Sequence, residues 1–193
     1  MRASILRKAE ESARTSLEFL REHAEVLERC VRAMAERFSS GGILYVMGNG
    51  GSSCDAEHVS VEFAHPIIEK RKALPAISLG QDTAFLTAVG NDSDFSRIFV
   101  ERLETLARPK DMALGISTSG ASANVNRALR MAKGRGLLTV GFAGRDGGSM
   151  VDVCDFCFVV PSWSIHRIQE AHTLLLHLLW DQLHVAMGED DVL

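Results

Sequence analysis

The 193 residues carry 46% apolar and 24% charged side chains, the mixture expected of one globular domain with a full hydrophobic core. The formal net charge is −4 with both signs interspersed, so the pattern offers no basic face for nucleic acid or anionic lipid. The opening run MRASILRKAEESAR lacks an apolar leader segment. The longest apolar stretch, Leu174 to Trp180, is interrupted by His177 and is too short to span a bilayer. A soluble, cytoplasmic protein with no nucleic-acid or membrane partner is the expectation.

The first forty residues read as helix. Leu17, Leu20, Ala24, Leu27, Val31, Met34 and Phe38 recur at three- and four-residue steps, which is one apolar helical face. One long helix and two short ones broken near 21–24 both fit. The face fits packing on the chain's own sheet, and it equally fits a helical arm that joins subunits.

From Gly41 the pattern changes to short aliphatic runs alternating with helical ones. Ile43–Met47, Ala76–Leu79, Met112–Ile116, Leu137–Phe142 and Phe156–Val160 read as strands. Helices are expected from about Ser52, near 83–89 and 94–107, from Ser122 to Lys133, and from Ile165 into the 180s. This alternation predicts an α/β domain, a doubly wound parallel five-stranded sheet preceded by an N-terminal helical arm. Such sheets bind ligands at the carboxyl ends of their strands near a topological switch point, which directs attention to the loops after Met47 and Ile116.

Four cysteines, Cys30, Cys54, Cys154 and Cys157, fit reduced thiols better than a disulfide framework. Cys154 and Cys157 have metal-like spacing. On a strand, however, residues three apart point to opposite faces, so core cysteine is the preferred reading.

The loop Gly48-Asn49-Gly50-Gly51-Ser52-Ser53 leads directly into a helix, where glycines admit a ligand to the backbone and the helix N-terminus favours an anion. A dinucleotide fingerprint would need glycine at Ser53, and a plain tight turn is the other alternative. The second loop, Ser117-Thr118-Ser119-Gly120-Ala121-Ser122, packs four hydroxyls between a strand and a helix. Helix capping by Ser119 or Ser122 would use one of them, so a phosphate cradle is favoured. No Walker lysine follows, which argues against a nucleoside triphosphate.

His58 and Glu62 stand four apart on the helix after the first loop and share a face. Gln169, Glu170, His172 and His177 lie on the final helix. Two such clusters could converge on Zn²⁺ or another divalent ion.

Together the motifs GNGGSxxDAxH, VGND, GISTSGxSxNV and RIQExH resemble the bacterial sedoheptulose 7-phosphate isomerases, of the sugar isomerase (SIS) fold. The resemblance runs over nearly the whole chain. It implies a single SIS domain over 1–193, with helices in 1–40 for oligomerisation and the α/β core in 41–193. It further implies a divalent metal, zinc in the first instance, held by His58, Glu62, Gln169 and His177. Glu62 and His177 would be the acid/base pair of an aldose–ketose isomerase working through an enediol. Asn49, Gly50, Gly51, Ser52, Ser117, Thr118, Ser119, Ser122 and Gln169 would contact the sugar phosphate, with Asn91 and Asp92 in a neighbouring loop. A homotetramer is implied as well. The resemblance also extends to non-catalytic SIS proteins of the replication-initiator-associated type, which bind a sugar phosphate or a protein partner.

Two positions depart from the family pattern. Pro66 stands where an arginine is usual, four residues after Glu62, and His166 stands where an aspartate is often found. Lys70, Arg71 and Lys72 could return the lost charge or form a solvated loop, the preferred reading of a short charge run; His65 is the other candidate.

Overall fold

The computed structural model describes residues 1–67 and 71–191. Helix α1 (Arg2–Ser39) is one unbroken helix of 38 residues. Neither glycine nor proline interrupts it, so nothing forces a break at 21–24. Exposed Glu25–Arg29 and Glu28–Arg32 pairs at i, i+4 add a little local support. Residues 1–11 are exposed on every side, because a helix of this length, roughly 57 Å, overruns the sheet it covers. The expected apolar face therefore divides. Leu27, Val31, Met34 and Phe38 are buried, whereas Leu17 and Ala24 face outward and Phe19 and Cys30 take the inner positions.

Among the described residues five strands follow: β1 (Leu44–Gly48), β2 (Ala76–Ser78), β3 (Met112–Ser117), β4 (Leu138–Gly144) and β5 (Phe156–Val160). All pair in parallel, in the order β2-β1-β3-β4-β5. The connecting helices are α2 (Gly51–Ala64), α3 (Thr83–Asp92), α4 (Ile98–Leu106, after a 3₁₀ turn at Phe95–Arg97), α5 (Ala123–Gly134) and α6 (Ile165–Ala186). Alternation along each strand divides the core in two. Leu44, Val46, Leu114, Val140 and Phe142 meet α1, α2 and α6, and Tyr45, Met47 and Ala113 meet α3, α4 and α5. The order reverses between β1 and β3, so the loops after these two strands flank the switch point.

Two local expectations are corrected. Cys154 precedes β5 rather than lying in it, so strand alternation does not separate it from Cys157. A hydrogen bond with Cys157, together with burial, pushes the Cys154 thiol up, and the same bond holds Cys157 below its ordinary range. Cys154 is nonetheless buried, as expected of a core cysteine.

The second correction concerns Arg71. It is not solvated: its side chain is buried, donates to Asp181 Oδ1 at 2.7 Å and lies 4.7 Å over the Trp180 ring. Proline at 66 does close α2, whose last residue is Ala64. Lys70 lies outside the described residues.

Candidate active site

Helices α2 and α6 pack side by side, and each contributes to one polar cluster. His58 and Glu62 are one turn apart on α2, with His58 Nε2 3.3 Å from Glu62 Oε1. His177 arrives from α6, its Nε2 3.4 Å from His58 Nε2 and its ring edge-on to the other imidazole. One ligand atom from each of the three lies within 4.8 Å of the others, a separation one divalent cation can bridge. The donor set, two imidazoles and a carboxylate, suits zinc and its neighbours. Glu62 and His58 are half-buried and His177 is exposed, so the cluster opens at the surface.

Gln169 is placed differently. Helix α6 is continuous from Ile165 to Ala186, so Gln169 lies about two turns, roughly 12 Å, before His177. Its carboxamide rests on Gly51, where an added Cβ would collide with Gln169 Nε2. Gln169 thus meets the first glycine loop while His177 meets His58.

That loop turns on Gly50, whose φ of 55° and ψ of −123° are suited to glycine, and α2 begins at the next residue. Ser52 is buried in the first turn. In the second loop Ser117 Oγ lies 2.8 Å from Ser122 Oγ and 3.4 Å from Ser119 Oγ, and Ser119 Oγ accepts from the Ala121 N–H at 3.2 Å. Ser122 occupies the N-cap position of α5 without a capping bond from its hydroxyl, so capping does not absorb it. Gly120, at φ 62°, passes so close to Gly147 that a Cβ would collide with its carbonyl oxygen. The hydroxyls therefore converge at the amino end of α5, where free N–H groups and the helix dipole favour an anion.

Other expected residues are spread more widely. Asn91 and Asp92 are not in a loop; they end α3, exposed and bonded to each other at 2.7 Å. Glu170 is exposed and engages Ser12 and Arg167. His172 is buried with Nε2 2.9 Å from the Ala143 carbonyl oxygen, and burial holds its pKa at about 4. His65 and His166 are exposed.

Residues not singled out from the sequence also support the site. Asn124 and Asn126 are buried in the first turns of α5, and Asp55, one turn before His58, has one buried carboxylate oxygen without a partner among the described residues. Burial raises the Asp55 carboxyl, and nearby His58 opposes the shift. Asp55 and Asn124 both lie within the glycine-loop and hydroxyl-loop motifs, so two polar residues at helix starts beside the loops were a usable signal.

An all-parallel sheet with hydroxyl and glycine loops at its switch point, and a His–Glu–His cluster between α2 and α6, defines an α/β domain suited to a small anionic substrate. The SIS domain family model matches residues 9–144. A phosphoheptose isomerase of Solidesulfovibrio magneticus is 44% identical over 170 residues, covering 88% of this chain and 83% of the relative. The solved phosphoheptose isomerases of Neisseria gonorrhoeae and Francisella tularensis superpose with TM-scores of 0.87 and 0.89 at 34% and 32% identity. They cover 94% and 95% of this chain and 97% of each structure. The chain belongs to the SIS domain family and, within it, to the phosphoheptose isomerases, which makes it an isomerase of the aldose–ketose class.

Proposed function

We propose that the chain interconverts sedoheptulose 7-phosphate and an aldoheptose 7-phosphate, with a divalent metal, zinc in the first instance, held by His58, Glu62 and His177. The observation that carries this reading is the meeting of these three side chains between α2, the helix that follows the glycine loop, and α6, whose Gln169 rests on that loop. Gln169, resting on Gly51 rather than beside His177, would contact the sugar.

The loop hydroxyls of Ser52, Ser117, Thr118, Ser119 and Ser122, with the backbone of Asn49, Gly50 and Gly51, hold the phosphate and orient the sugar. Glu62 and His177 form the acid/base pair. One removes the proton from the carbon next to the carbonyl, and the other delivers a proton to the neighbouring position as the enediol collapses. A carboxylate and an imidazole suit these two roles near neutral pH. When bound, a divalent cation would stabilise the negative oxygen of the enediolate.

The surface position of His177 and the overrunning α1 arm support a site at a subunit border, in what the family resemblance implies is a cytoplasmic homotetramer. Asn91 and Asp92 would reach the sugar across such a border. Turnover of a panel of ketose and aldose phosphates, with metal content measured on the same preparation, tests the reading. Heptose phosphate as the best substrate upholds it; binding without turnover supports a non-catalytic sensor instead.

A further inference from the structure

Two buried asparagines on α5 reach away from their own helix into the loops of the site. Asn49 Nδ2 donates to Asn124 Oδ1 at 2.9 Å, and Asn124 Nδ2 donates back to Asn49 Oδ1 at 2.8 Å. The pair joins the loop after β1 to the first turn of α5, 75 positions away. Asn124 Oδ1 also accepts from the Val125 N–H at 2.9 Å, which fixes its carboxamide. Asn126 Nδ2 donates to the Gly120 carbonyl and to Ser149 Oγ, both at 2.8 Å, tying the hydroxyl loop to the turn after β4. Asn124 and Asn126 retain only a few per cent of their exposure, so these bonds form where an unpaired amide would be costly.

We propose that Asn124 is a positioning residue whose reciprocal amide pair with Asn49 latches the two anion-binding loops at the spacing a sugar phosphate requires. Asn49 then serves the substrate through its backbone, because its side chain is committed to Asn124. This rests on reading the two loops as a sugar-phosphate cradle. A carboxamide pair makes a suitable latch because it is planar, donates and accepts at both ends, and adds no charge that would repel a phosphate.

The test is a cycle of N49A, N124A and the double variant, with N124D as a variant of the same shape that keeps the acceptor and loses the donated bond. Hydrogen exchange at the amides of residues 48–52 and 117–122 should quicken in both loops in each single variant. KM for sedoheptulose 7-phosphate should rise about tenfold with kcat within about threefold, and the double variant should be no worse than either single one. Unchanged exchange in both loops overturns the latch whether or not the natural chain has activity. So does an additive cycle in which N49A costs more than N124A, since Asn49 would then touch the sugar directly. If the natural chain turns over no heptose phosphate, the substrate reading fails while the exchange measurement still decides the latch.

Discussion

His58 and His177, 119 positions apart in sequence, bring their Nε2 atoms to 3.4 Å of each other. Two imidazolium ions could not share that space without repulsion, whereas one proton or one cation between them relieves it. Glu62 beside His58 supplies the negative charge that a cation would need.

Metal binding should therefore depend on all three side chains. Zinc added to metal-free protein is expected to raise Tm, and H58Q, E62Q and H177Q should each lose most of that rise. Calorimetric titration with metal analysis checks it. Equal zinc affinity in the three variants and the natural chain would exclude the cluster as the metal site.

Glu62→Gln and His177→Gln should each lower kcat by about 10²-fold or more. The fold should survive, because neither side chain lies in the buried core. Circular dichroism and steady-state kinetics on the same samples separate the two effects. Full activity in either variant excludes that residue from proton transfer.

Pro66 offers no side-chain donor where the family commonly has arginine, and Arg71 is spent on Asp181. Pro66→Arg should raise kcat/KM for sedoheptulose 7-phosphate relative to shorter ketose phosphates by roughly tenfold, the worth of one charged hydrogen bond. A heptose-preferring natural protein that gains nothing from the arginine would contradict this.

Arg71→Ala should destabilise the fold by about 3–5 kcal/mol, because Asp181 would remain buried without its partner. Replacing both, as Arg71→Met with Asp181→Leu, should recover most of the loss. Urea unfolding measures both. A cost below about 1 kcal/mol for the single variant would return Arg71 to the status of a surface charge.

His172 gives the fold a pH dependence with a definite sign. Burial depresses its folded pKa to about 4, below the ordinary value of 6.5, so the unfolded chain takes up the proton first. Stability is full above the unfolded value and falls as pH drops from about 6.5 toward 4, by up to roughly 3 kcal/mol. Below that window both states are protonated and the loss levels off. Urea unfolding at pH 7.5 and 5 should show a smaller drop in His172→Gln than in the natural chain, whatever its absolute stability. An identical drop would assign the dependence to other groups.

Much of this was legible in the residues themselves. Strand β5 begins and ends as its aliphatic run predicts, and the loops after β1 and β3 lie at the switch point because alternating strand and helix patterns allow few other parallel arrangements. The i, i+4 spacing of His58 and Glu62 places them on one face by helix geometry alone. What periodicity could not supply was any fact set by packing between distant segments. The helix α1 pattern does not say where the sheet beneath it ends, so Leu17 and Ala24 face outward while Phe19 and Cys30 turn in. Arg71 reads as one charge in a short basic run until Asp181, 110 positions later, is folded against it. The same holds at the site. Sequence puts Gln169 and His177 on one helix about two turns apart, but only the packing of α6 along α2 sets Gln169 on Gly51 and His177 on His58. Local backbone preference acts over a few residues, whereas these partners are chosen by which surfaces the collapsed core leaves within reach.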